Sequence, residues 1–227
     1  MFADSRTSLL RLAMRPWLIL LVGCGGAATG DEAPPAKVFV TYDGTLVEKA
    51  GADDATSNTS SIFSGTLSAF TGRATDTTTA LEAILAPFHI EVVTERPDNA
   101  LYDMIVIAGT AEEAGLASGL GGAAPFDCQN AVPNKMVFVF GNSFPITTTG
   151  AQYASLAVAG LGFSQGIPSS NLKDDCLCWS GAACDNTKQC TFGGPGTPIA
   201  DNDPCAAGAT TMDPMTEFQR VYGLAAP

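Results

Sequence analysis

The sequence predicts an α/β (α+β) domain built on a mixed sheet, and three observations carry that reading. Apolar runs of strand length recur at Val38-Phe39-Val40, Met104-Ile105-Val106-Ile107 and Met136-Val137-Phe138-Val139-Phe140, each too short for a buried helix. Helical patterning separates them and follows the last of them, which is the alternation of an α/β layer. With 46% hydrophobic and 15% charged residues over 227 positions, the chain has enough apolar material for a core and reads as one domain of moderate size.

The elements follow in order. Lys37 to Tyr42 reads as a strand closed by the turn Asp43-Gly44. The Ser/Thr/Asn/Asp-rich region from Gly51 to Thr79 reads as a long surface excursion with isolated apolar anchors at Ile62, Phe63, Leu67 and Phe70. Asp76 and the threonines after it offer an N-cap for a helix over Ala80 to Ala86, ended by Pro87. His89 to Thr94 alternates as a strand, Tyr102 to Ala108 reads as a more buried one, and Lys135 to Phe140 as a third. Thr149 to Leu161 reads as a helix that weakens at Gly160-Leu161-Gly162. The order is therefore strand, helix, three strands, helix. The clearest helix is the last, 213–223, with Asp213 as N-cap, Pro214 at the first helical position and Gly223 just past the end.

The amino terminus reads as a targeting segment. Arg6, Arg11 and Arg15 precede the short apolar run Trp17 to Val22, which is too short to span a bilayer. The run ends in Leu21-Val22-Gly23-Cys24, which resembles the lipobox of bacterial lipoproteins, where Cys24 would carry the lipid and residues 1–23 would be removed. That removal takes away three Arg and one Asp, so the formal charge moves from −12 to −14. A body so acidic repels both nucleic acid and anionic headgroups, which excludes nucleic-acid binding and leaves membrane attachment to the lipid. Residues 24–36, small and Pro-containing, read as a tether with a reach of roughly 40 Å when extended. Gly25 stands where an Asp would mark inner-membrane retention in such lipoproteins, so the resemblance implies an outer-membrane location in a Gram-negative host.

Export bears on the cysteines. Cys128, Cys176, Cys178, Cys184, Cys190 and Cys205 remain after lipidation, an even number that predicts three disulfides, with 175–212 as a Cys-rich loop region inside a single domain of 37–227. The spacing lacks C-x-x-C knuckles and a His partner, so a structural zinc site is not expected.

Two patterns suggest chemistry. Gly162-Phe163-Ser164-Gln165-Gly166 matches G-x-S-x-G and resembles the nucleophile elbow of carboxylesterases and acyl-thioesterases, which makes Ser164 an alternative nucleophile; yet the single His of the chain, His89, precedes it, whereas that fold places its His after the Ser. His89 itself reads as a packed strand residue. The second pattern is the order of elements taken together with Val38 to Gly44, Asp53 to Ile62 and Tyr102 to Ile107, which resemble stretches of secreted bacterial metzincin-like lipoproteins over about residues 37–222. In that family the helix after the last strand carries H-E-x-x-H-x-x-G-x-x-H, with zinc on the three His and the Glu as general base. Here the first His and the Glu fall on Ala157 and Val158, and the remaining two His on Leu161 and Ile167; a frame shifted by two gives Ser155, Leu156, Ala159 and Gln165. Neither frame holds a His, Glu or Asp. The resemblance therefore implies a pseudoenzyme of a zinc metallopeptidase family, with no catalytic residue, metal or cofactor, whose cleft beside an edge strand binds peptide or protein by strand addition. The four positions Ala157, Val158, Leu161 and Ile167 are then expected on one apolar cleft floor, and Leu177 stands near the family's Met-turn. A serine esterase using Ser164 and a structural envelope protein are the alternatives.

Acidic clusters at Asp53-Asp54 with Asn58, and at Asp201-Asn202-Asp203, follow no EF-hand spacing and read as turns. The lipobox carries a direct test: Cys24→Ala abolishes lipidation, read as loss of the lipid mass and of partitioning into detergent, and a variant that kept both would remove the lipoprotein reading.

Overall fold

A computed structural model describes residues 33–98, 100–179, 184–185 and 188–225. The targeting segment, Cys24 and the tether as far as Glu32 lie outside the described residues. The central feature is a five-stranded sheet, in which β1 (Ala36–Thr41), β5 (Ile90–Val93), β6 (Tyr102–Ile107) and β8 (Met136–Val139) run parallel, and β7 (Gly122–Ala123) runs antiparallel at one edge; the order is β5-β1-β6-β8-β7. Register pairs Val38 with Val92, Phe39 with Met104, Ile105 with Val137 and Gly122 with Val139. The apolar runs arise because the inner strands are covered on both faces, so successive side chains all meet core. Val38, Val40, Ile105, Ile107, Val137 and Val139 join the cluster on the helical face, while Phe39, Met104, Val106, Met136 and Phe138 join the other.

That second face is covered by the region expected to be a surface excursion. It folds as a small sheet of β2 (Leu46–Lys49), β3 (Thr59–Ser60) and β4 (Gly65–Thr66), and Val47, Ala55, Phe63 and Leu67 are buried against the central strands. The polar residues between these anchors stabilise its turns: Asp53 accepts bonds from the Ser61 amide and hydroxyl, and Asp54 from Thr56 and Ser57. The sparse apolar residues thus cover one sheet face, and the polar ones shape the chain that carries them.

Helix α1 (Ala74–Leu85) begins six residues earlier than expected. Asp76 is not its cap; it sits in the first turn and pairs with Arg73 at 3.2 Å. The threonines that obscured the start are accommodated because the Thr77 and Thr78 hydroxyls donate to the carbonyls of Arg73 and Ala74 one turn back. Helix α2 (Gly150–Ser164) starts at Thr149 with a reciprocal capping box to Gln152 and runs unbroken through the Gly160 to Gly162 stretch expected to weaken it. There the glycines allow close packing: a β-carbon on Gly160 would lie 2.5 Å from Val137 Cγ1, and one on Gly162 2.3 Å from Leu177 Cδ2. Of the 15 residues of α2, only Ala151 and Gln152 are not buried.

The carboxy-terminal region adds the hairpin β9 (Thr197–Pro198) and β10 (Thr211–Met212), then α3 (Pro214–Tyr222) with Asp213 accepting from the Thr216 amide as its cap. Three disulfides join Cys128 to Cys205, Cys176 to Cys190 and Cys178 to Cys184. Phe88, Phe192 and Phe218 pack ring on ring and fasten the segment and α3 to the end of α1.

Gly166, just after α2, has φ +76°, and a β-carbon there would lie 2.5 Å from the Asp127 carbonyl oxygen and 2.8 Å from Cys128 Cα. Backbone cannot yield as a side-chain end does. Gly166→Ala is therefore expected to lower stability by roughly 1–3 kcal/mol, measured by urea unfolding; an unchanged midpoint would mean that the chain does not pass this close.

Candidate functional site

The sheet has two edge strands, β5 and β7, and β7 leaves backbone unpaired beside exposed apolar residues. The Phe140 amide donates to the Gly121 carbonyl at 2.9 Å, so Gly121 and Phe140 form a hydrogen-bonded pair across the ladder. In an antiparallel pair the next residue turns its amide and carbonyl the other way. Gly122 therefore presents both groups to the open side of the sheet, and among the described residues β7 makes no backbone hydrogen bond beyond β8.

Apolar side chains surround that edge. Leu120, Phe126 and Ile146 are exposed at 43%, 63% and 79%. Behind them, the Phe126 ring meets Phe163 of α2 with centroids 4.2 Å apart, and Phe163 stacks on Trp179 at 5.7 Å. Trp179 in turn lies 3.3 Å from the β-carbon position of Gly122 and 3.1 Å from that of Gly160, so it fills the space between edge strand and helix. A cavity of about 290 Å³ opens between Phe144, Pro145, Thr148, Gln152 and Leu156, and Phe144 lies 2.8 Å from the β-carbon position of Gly121. No charged residue occurs from Ala114 to Phe126, nor from Met136 to Leu172. The edge is an apolar strip around the outward-facing peptide unit of Gly122, and the charged residues Asp127 and Lys135 begin beside Phe126.

The helix positions singled out from sequence do not gather on this edge. Successive helical residues are turned by about 100°, so Ala157 and Leu161 share the flank of Gly150, and that flank faces Asp76 and Thr77 of α1. Val158 shares the face of Gly162, under Leu177 and Phe218, and Ile167 lies past the helix with its amide bonded to the Gly162 carbonyl. In the shifted frame Ser155 accepts from the Cys190 amide, Gln165 donates to Asp103, Leu156 lines the cavity, and Ala159 is buried. The expectation of one shared cleft floor is thus corrected in both frames: α2 is enclosed on every side, and residues spaced for a zinc motif are divided among different neighbours. The flank turned to β7 carries Gly160 and Phe163 instead.

Ser164 lies in the last turn of α2, fully buried, with its hydroxyl donating to the Leu161 carbonyl at 2.8 Å. An elbow needs a strand-to-helix turn that exposes the hydroxyl, and this position has neither. Asp203 accepts from the Ser169 amide and hydroxyl and from the Cys205 amide, which makes its acidic cluster a turn. Among the described residues no group of three or more His, Cys, Asp or Glu is placed to hold a metal ion, and no helix is long and apolar enough to cross a membrane. No protein-family model, curated protein or solved structure matches the chain.

The edge itself was missed in sequence. Two residues are too few to alternate, and the sole signal was an uncharged Gly/Ala stretch between Leu120 and Phe126.

The strongest electrostatic feature lies at the opposite end of the sheet. Asp103, at the start of β6, accepts from the Lys135 amide at 2.9 Å, the Gln165 amide group at 2.6 Å and the Tyr222 hydroxyl at 3.1 Å. Burial pushes its carboxyl above the ordinary range, against the pull of those donors and of the Lys135 charge. Lys135 is itself buried and paired with Asp127 at 3.0 Å and with Asn130. The cluster ties the ends of α2 and α3 to the sheet, and its Lys135–Asp127 pair borders a cavity of about 250 Å³ shared with Asp53 and Phe126. A raised native pKa means that the protonated carboxyl favours the fold, a contribution present below the unfolded value and lost as pH rises through the native one. The stability of the native chain relative to Asp103→Asn should therefore fall as pH rises above the ordinary aspartate value of about 4. Urea midpoints of the two proteins read it, and a difference independent of pH would mean that Asp103 does not titrate in that range.

Proposed function

We propose that the chain is a non-catalytic binding domain of metzincin-like layout, held at the cell envelope, that takes an extended apolar peptide segment as an added strand on β7. The observation that carries this reading is the outward-facing peptide unit of Gly122, flanked by exposed Leu120, Phe126 and Ile146. Strand addition needs this combination: main-chain groups for affinity and apolar places for alternate side chains. The occupant is apolar because the exposed side chains beside the strand are Leu120, Phe126 and Ile146.

The layout is supported by the order of elements. The antiparallel edge strand precedes the last parallel strand, and α2 follows it directly into the disulfide-bonded region. A non-catalytic role is supported by α2, which holds no His, Asp or Glu, and by Trp179, which occupies the space beside it. The three disulfides fit an oxidising, extracytoplasmic compartment, and the lipobox-like Leu21 to Cys24 supplies the anchor to an outer membrane.

A displayed heptapeptide library selected on the immobilised full chain tests the reading. Enriched peptides should be apolar at alternate positions. N-methylation of the peptide backbone at alternate residues, which leaves the protein untouched, should weaken binding about tenfold or more, as should Leu120→Asp and Phe126→Asp. No enrichment, or binding indifferent to both, would remove the proposal. Peptide hydrolysis should be absent with or without added zinc; a native peptidase activity abolished by a chelator would sink the non-catalytic role.

A further inference from the structure

A second cavity, of about 150 Å³, lies beyond the carboxyl ends of β1 and β8 and is bounded by Phe70, Phe144 and Tyr153, with Thr71, Asn142 and Ile146 at its rim. The ring planes of Phe70 and Phe144 cross that of Tyr153 at 82° and 89°, with centroids 5.0 and 5.6 Å away, so the three rings form two walls standing on a third. A cavity of this size takes one benzene-sized group.

The polar groups around it are already used. Asn142 accepts from the Thr71 amide and hydroxyl and donates to the Ser68 hydroxyl and the Ala69 carbonyl. The Tyr153 hydroxyl donates to the Gly141 carbonyl at 3.2 Å. A ligand entering here therefore meets rings rather than hydrogen-bonding partners. No Lys or Arg lines the space, and the nearest cation in sequence, Arg73, is paired with Asp76. The chain carries −12. Tyr42 stacks behind Phe70 with centroids 5.8 Å apart and extends the aromatic surround.

We propose that this box binds a small quaternary ammonium group through the faces of Phe70, Phe144 and Tyr153. An aromatic box in an acidic body, with its hydrogen bonds spent, attracts a bulky cation that needs no hydrogen bond. An ordinary ammonium is the poorer ligand, because it would leave hydration that nothing here replaces. The box adjoins the β7 strip and shares Ile146 with it, but the proposal does not rest on strand addition there.

Choline and its neutral isostere 3,3-dimethylbutan-1-ol separate the two forces that such a box offers. Titrated into the full chain and followed by calorimetry and by the NMR shifts of the ring protons, choline should bind about tenfold or more tighter than the alcohol. Ile146→Lys, at an exposed rim residue that leaves the rings in place, should abolish choline binding and spare that of the alcohol. Phe144→Leu should reduce the preference for choline. Equal affinity for both compounds would make the cavity merely apolar, and the absence of shifts with either would mean that it binds no such group; both results overturn the proposal.

Discussion

The fold depends on the complete burial of α2. A helix apolar all round has no face to give to water, so every flank must be covered by another part of the chain. The sheet covers one through Val137 at Gly160, α1 a second through Asp76 and Thr77 at Gly150, and the segment after the helix the rest, through Leu177, Trp179 and the Cys190 amide. That last segment has little regular structure of its own. Disulfides within it and back to Cys128 hold it in place where a core would otherwise be needed. The cysteines, the glycines of α2 and the aromatic side chains around Trp179 are thus one requirement met in three ways.

The same burial sets what the molecule can do chemically. The space between α2 and the edge strand holds Trp179 stacked on Phe163, and the hydroxyl of Ser164 is spent on its own helix. The residues of the helix serve as packing. The groups left open to solvent lie outside it, at the backbone of β7 and the side chains beside it.

Much of this was legible in the sequence, and what was missed has a common cause. The runs Val38 to Val40, Met104 to Ile107 and Met136 to Phe140 marked the inner strands, because burial on two faces writes an unbroken apolar signal. The cap, Pro and Gly of α3 marked its ends equally well. Where the signal depends on partners distant in sequence, it failed. Phe63 and Leu67 looked like isolated anchors since the strands they cover lie elsewhere in the chain. Gly160 looked like a helix breaker since Val137 and Trp179, which need the room, are not its neighbours. Thr77 and Thr78 looked like capping residues because their bonds to the preceding turn are invisible until the turn exists. The zinc-motif frame failed for the same reason: spacing fixes which residues share a helix face, but not which neighbour that face meets.

An exposed sheet edge is ordinarily a liability, since a second copy can pair with it. Two features of this chain limit that. The strand is only two residues long, so any partner gains few main-chain bonds from it and depends on the apolar side chains beside it. The chain carries a formal −12, so two copies approaching edge to edge repel through their bodies. A short uncharged segment brings no such body with it and meets no such repulsion. The acidic body therefore acts against self-association at an edge that the strand alone would leave open.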